Sequence, residues 1–170
     1  RSGNWRSGRD SFLINIYRST INDGIAYTDN FQSKTNIAQI IINGLNLKIE
    51  RALTTNIFGS LGYRWVERME DERKTQTFLP STTYDYGDHR WDLALKYKKD
   101  GLTSTLSGQI VSGRRKLPNY QLWHFSLNYQ VNQVLSLSLA ANNLLGEEYE
   151  IISGYPMPGR SFSAGLSYSF

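Results

Sequence analysis

Apolar and polar residues alternate one for one along most of the chain, in about eight segments of one length separated by turn signals. The cleanest segment is the last, Arg160–Phe170, where Phe162, Ala164, Leu166, Tyr168 and Phe170 alternate with Ser161, Ser163, Gly165, Ser167 and Ser169. Successive side chains on a strand point to opposite faces, so each such segment has one apolar and one polar face. Two architectures use that pattern. In a soluble sandwich the apolar faces meet in a core; in a membrane barrel they meet lipid, and the polar faces line a lumen.

The connections separate the two. The segments run from Asp10 through Phe12, Ile14, Ile16 and Ile21 towards Tyr27, then Asn36–Glu50, Asn56–Trp65, Arg90–Lys98, Leu102–Ile110, Trp123–Val131, Leu135–Asn142 and Arg160–Phe170. Short links at Arg51–Thr54, Lys99–Gly101 and Asn132–Gln133 all fall at one end of the strands. Longer ones, Asp29–Lys34, Glu67–Asp88, Gly113–Asn119 and Gly146–Gly159, fall at the other. Transmembrane barrels sort their turns and loops in this way, and a sandwich has no reason to. Tyr63, Trp65, Trp91, Tyr97, Trp123, Tyr129 and Tyr168 also lie near the ends of the apolar rows, where interfacial girdles belong. The expected fold is all-β, an antiparallel up-and-down transmembrane barrel.

Composition narrows the alternatives. Aromatics reach 13%, with 11 Tyr and 4 Trp. The mean hydropathy of −0.46 is no objection, because only alternate strand residues meet lipid. No run approaches the roughly 18 apolar residues of a spanning helix. The absence of cysteine removes disulfides and thiolate metal sites, and two His make a structural zinc site a poor expectation. A net charge of +4 with dispersed basic residues, apart from Arg114-Arg115-Lys116 and Lys96, Lys98 and Lys99, argues against a nucleic-acid partner. Asp88, His89 and Asp92 are close in sequence but have no placed nucleophile beside them, so no catalytic residue, cofactor or metal ligand is expected. His124 falls on the polar row, where a wall hydrogen bond is its ordinary role.

The segment Leu135–Tyr149, LSLSLAANNLLGEEY, followed by Tyr155-Pro156-Met157-Pro158-Gly159-Arg160 and a closing aromatic, resembles the C-terminal end of TonB-dependent outer-membrane receptors. Asn143-Leu144, Glu148-Tyr149 and Pro158-Gly159-Arg160 carry the likeness. Asn36 with Gly44-Leu45-Asn46-Leu47 extends it, although Asn46 stands where that family has an acidic residue. So does Leu117-Pro118-Asn119-Tyr120.

The resemblance implies that residues 1–170 supply about the last eight strands of a 22-stranded barrel, without its plug and earlier strands. The implied function is energy-coupled import of a scarce nutrient complex, such as a ferric siderophore, haem or cobalamin, across the outer membrane of a Gram-negative bacterium. Implied partners are the rest of the receptor, the inner-membrane TonB complex acting through the plug, the barrel-assembly machinery, and the lipid bilayer with its lipopolysaccharide. Leu166, Tyr168 and Phe170 are expected to form the assembly signal. Tyr84, Tyr86, Arg114, Arg115, Tyr149, Tyr155 and Met157 are the candidate ligand contacts in the outer loops. Asn143, Leu144, Pro158, Gly159 and Arg160 are expected to be structural, with Arg160 placed to meet a lumenal carboxylate. The alternative is a self-contained eight-stranded barrel with a structural or passive role. Against it, the serine row of Arg160–Phe170 is too small to fill so narrow an interior.

Overall fold

The structure, a computed structural model, describes residues 2–7, 10–27, 34–70 and 87–169. Among them lie strands β1 (Ser2–Ser7), β2 (Asp10–Tyr27), β3 (Lys34–Ala52), β4 (Ile57–Glu70), β5 (His89–Lys99), β6 (Leu102–Ser112), β7 (Tyr120–Gln130), β8 (Leu135–Asn142), β9 (Glu150–Ile152), β10 (Tyr155–Pro156) and β11 (Ser161–Tyr168). Nine of these form one antiparallel meander in the order β1-β2-β3-β4-β5-β6-β7-β8-β11, while β9 and β10 form a small separate hairpin. Strands β1 and β11 are the two edges, so the sheet is an open part of a barrel wall.

Three features differ from the sequence expectation. The sheet has nine strands, because SGNWRS pairs with β2 from Ser2↔Asn15 to Ser7↔Asp10. The strands are not of one length: β2 has 18 residues and β3 has 19, whereas β5, β6 and β7 have 11 each. Arg51 and Ala52 end β3 rather than forming a turn, and Glu67–Glu70 belong to β4 rather than to the following loop. About 9–11 tilted residues cross a bilayer, which the shorter strands match. The surplus of β2 and β3 lies at the long-connection end.

Each short turn is held by local chemistry. Between β5 and β6, Asp100 (φ 47°) and Gly101 (φ 80°) both take left-handed backbone, as a two-residue hairpin of this twist requires. Between β3 and β4, Thr54 Oγ1 accepts from the N–H groups of Asn56 (3.2 Å) and Ile57 (3.0 Å). Between β7 and β8, Asn132 Oδ1 accepts from those of Val134 (3.0 Å) and Leu135 (2.9 Å). Ser, Thr and Asn side chains that satisfy their own backbone in this way stop a strand without help from distant residues.

Register carries the two-faced pattern across the sheet. One row runs Phe12–Ile49–Leu61–Leu93–Gly108–Trp123. The neighbouring row on the other face runs Ser11–Glu50–Ser60–Ala94–Ser107–His124. A slip of one residue in any pair would exchange the faces, so the pattern itself fixes the register. Where the apolar row reaches Gly108, the indole of Trp123 lies so close that a Cβ there would sit 2.7 Å from the ring. The aromatic thereby covers bare backbone, a cross-strand pairing that stabilises by about 0.2–1 kcal/mol.

The sheet has little interior of its own. Among the described residues, the only buried apolar side chains are Val111, Tyr120, Leu122 and Ala141. Phe162, Leu166 and Tyr168 are 72%, 69% and 63% exposed, and Ile16 and Leu139 are also more than half exposed. Such a continuous apolar face in contact with water would be an aggregation surface; against hydrocarbon it is the stable arrangement.

Candidate functional site at the long-connection end

The strands turn their polar face inward on a cluster at the long-connection end. Val111 and Tyr120, cross-strand partners, are 2% and 8% exposed, and Leu122 is 6% exposed. All three are apolar residues on the polar row, and Tyr149 from the loop after β8 packs on them. The rings of Tyr120 and Tyr149 are 4.6 Å apart and inclined by 34°. The guanidinium of Arg114 lies 5.0 Å from the centroid of the Tyr120 ring. Its Nη1 donates to the Pro118 carbonyl at 2.7 Å and its Nη2 to that of Glu150 at 2.5 Å. One arginine therefore ties the β6–β7 loop to the β9–β10 hairpin. Burial pushes the Tyr149 phenol above its ordinary pKa of 10.0, which keeps the ring neutral in its stack.

Asn143 begins the loop that carries the hairpin. It is 3% exposed and takes a left-handed backbone (φ 49°), which Asn tolerates better than most residues. Its Nδ2 donates to the Glu147 carbonyl at 2.8 Å and more weakly to that of Pro158 at 3.4 Å. Its Oδ1 accepts from the Glu147 N–H at 2.9 Å, and its carbonyl from the Gly146 N–H at 2.8 Å. Leu144 donates its N–H to the Trp123 carbonyl at 2.8 Å, fastening the loop to β7. Further on, the Met157 N–H donates to the Tyr149 carbonyl at 2.9 Å. Between these fastenings opens a pocket of about 600 Å³, bounded by Leu117, Pro118, Tyr149, Pro156 and Met157 with Glu147, Glu148 and Glu150.

The structure brings Arg114, Tyr149 and Met157 together at this pocket and its latch. Arg115 and Tyr155 lie on the exposed side of the loops, and Tyr84, Tyr86 and Phe170 lie outside the described residues. Arg160 has no carboxylate at ion-pair distance among the described residues; its guanidinium lies beside Gly146. Pro158 contributes its carbonyl to Asn143, and Gly159 lines the pocket. Sequence reasoning missed Val111, Tyr120 and Leu122, whose signal was available as apolar residues standing on the polar row, out of phase with the apolar one.

Further down the polar wall, Arg90 donates to Asp92 at 2.8–3.0 Å through Nε and Nη2, and its guanidinium also donates to the amide oxygen of Gln109. The Nδ1 of His124 is 3.3 Å from Asn142 Oδ1, and Asn142 Nδ2 donates to Ser161 Oγ at 3.3 Å. His89 is on the opposite face, with Nδ1 2.8 Å from the Tyr63 hydroxyl. Asp92 and His89 therefore belong to different faces, and Asp88, His89 and Asp92 do not form one cluster. Among the described residues no group of three metal-capable side chains comes together, and no helix is long and apolar enough to cross a membrane.

A single antiparallel meander with one apolar face, one polar face and sorted connections is the wall of a transmembrane β-barrel. Residues 2–144 match the family model for the TonB dependent receptor-like β-barrel, and the chain belongs to that family, which consists of transporters and receptors rather than enzymes. Solved structures agree on the fold. The FrpB iron transporter from Neisseria meningitidis (F5-1 variant) is similar at a TM-score of 0.81 and 16% identity, over 99% of this chain and 30% of that one. The copper transporter OprC is similar at 0.77 and 16%, over 98% and 30%. The siderophore receptor PirA from Pseudomonas aeruginosa is similar at 0.73 and 16%, over 99% and 28%. The chain thus spans about 30% of the length of the transporters it resembles.

Proposed function

We propose that this chain is part of the barrel of a receptor that imports a scarce nutrient complex through the outer membrane of a Gram-negative bacterium, driven by the TonB complex acting on a plug. The observation that carries the reading is the joining of a lipid-facing apolar wall to a polar wall crowned by a fastened, pocketed loop, within a TonB-dependent receptor barrel. In this reading Tyr149 and Met157 offer apolar contacts to the cargo, Tyr155, Arg115, Tyr84 and Tyr86 belong to the outer contact surface, and Arg114 positions the hairpin. Asn143, Leu144, Pro158, Gly159 and Arg160 hold the loop's shape. Leu166, Tyr168 and Phe170 are the residues offered to the assembly machinery. The cargo class is a metal chelate of the ferric siderophore, haem or cobalamin kind.

The test is uptake by cells that carry the complete receptor as their only such transporter, supplied with iron-loaded siderophores, haem or cobalamin in turn. Uptake of one of them that stops when TonB is deleted is the expected result. Uptake that continues without TonB, or a receptor found outside the outer-membrane fraction, would overturn the reading in favour of a passive barrel or another location.

A further inference from the structure

At the short-turn end of the apolar face, one arginine stands among hydrocarbon. Arg51 shares its row with Ile49 and Leu53 and pairs across the ladder with Gly59. Leu53 folds over Gly59, where a Cβ would lie 3.3 Å from its Cδ1, and beside them runs a groove of about 430 Å³ lined by Leu61, Leu95, Leu106 and Trp123. Arg51 is at its mouth, with 70% of its side chain exposed. It stands at the strand end that also carries Tyr97 and Tyr129, the level where a bilayer's headgroups begin. The Arg51 Nε is 3.7 Å from Asp10 Oδ2, while Asp10 Oδ1 accepts from the Ala52 N–H at 3.3 Å. Asp10 thus engages the Nε edge of the guanidinium and holds it at the groove mouth.

We propose that this groove is a glycerophospholipid site. The phosphate of an anionic phospholipid lies on the Nη groups of Arg51, and one acyl chain runs up the groove past Leu95 and Leu106 to Trp123. The charge argument and the shape argument point to the same occupant. A guanidinium fork matches phosphate oxygens in a bidentate fashion, and the groove below it offers an acyl chain almost nothing polar. Asp10 tempers the site, because part of the arginine's field is spent on its carboxylate. The proposal rests on the membrane reading above.

The complete receptor, purified in detergent and titrated with palmitoyl-oleoyl phosphatidylglycerol, is examined by native mass spectrometry. One retained lipid is expected on the native receptor. Arg51→Gln, which loses the bidentate pair of charge-assisted hydrogen bonds, should lower the apparent affinity by about tenfold or more, and Arg51→Lys should recover part of it. Leu95→Trp, which fills the groove and changes no charge, should remove the site. Asp10→Asn, which keeps an acceptor for Ala52 but drops the competing charge, should tighten binding. Equal retention by the native receptor and by either Arg51→Gln or Leu95→Trp overturns the proposal. Heat-modifiable mobility on gels reports folding; if Arg51→Gln does not fold, Leu95→Trp and Asp10→Asn decide. TonB-dependent uptake by a receptor that retains no lipid defeats this inference alone, whereas absence from the outer membrane defeats the functional reading.

Discussion

Replacing Asn143 tests whether one buried amide fastens the outer loop. Its side chain makes two short hydrogen bonds to Glu147, at 2.8 and 2.9 Å, and a longer one to Pro158. Asn143→Gly removes them while keeping the left-handed backbone free of strain. Two net hydrogen bonds are worth about 2 kcal/mol, and so the open population of the loop should rise about 30-fold. Asn143→Ala also removes them but keeps a Cβ at φ 49° without the polar side chain that lets Asn tolerate it, a further cost of about 1 kcal/mol. The rise should then be on the order of a hundredfold. Amide hydrogen exchange on the complete receptor in detergent reads these numbers directly. Protection should fall at Glu147, Gly146 and Met157, more for Ala than for Gly, and stay unchanged at Lys98, whose N–H donates to the Asn56 carbonyl in the distant β3–β4 turn. Unchanged exchange at Glu147 would refute the reasoning, and equal effects of Gly and Ala would refute its backbone component.

Two other outcomes follow. Gly101→Ala places a Cβ 2.9 Å from the Gln130 carbonyl at φ 80°, so the receptor should lose about 1–2 kcal/mol. A urea series followed by heat-modifiable mobility measures the loss, and an unshifted midpoint would contradict it. Tyr149 has a folded pKa raised above its ordinary value of 10.0, so its contribution to loop docking is complete below pH 10.0 and is lost as pH rises through the raised value. Proteolysis of the loop after β8 should accelerate on that alkaline side, and Tyr149→Phe, which cannot ionise, should reduce the acceleration, the phenol of Tyr120 against which it stacks accounting for what remains.

The fold was largely legible because a barrel wall is a repetition of one local rule. Period-two alternation located β5 to β8 nearly residue for residue, and Asp100-Gly101 marked its hairpin through chemistry carried by two residues. The rule failed where strands are not amphipathic. SGNWRS shows no alternation and becomes β1 only by pairing with Ser11–Asn15. Arg51 looked like a turn residue because a charge at the end of an apolar row is ambiguous until register is known; the register with Gly59 places it on β3. Around the loop site, Arg114, Tyr149 and Met157 were legible as residue types. Their meeting was not, because the Arg114–Glu150 and Tyr120–Tyr149 contacts join segments far apart in the chain through a loop with no period to read.

The unequal strand lengths also shape the rim. The last ladder row that β3 shares through β4 with β5 is Leu45–Trp65–His89, and β3 continues beyond it from Lys34 to Gly44, paired with β2 to Tyr27↔Lys34. Its rungs with β4 reach Ile40↔Glu70, so β2 and β3 run on as a two-stranded ribbon over Lys34–Gln39, roughly 20 Å along the strand at about 3.4 Å per residue. In engineering terms the barrel has a built-in mast. In the outer-membrane reading proposed above, a peptide spliced between β2 and β3 would be carried by this ribbon, which makes that point the natural one for display on the cell surface.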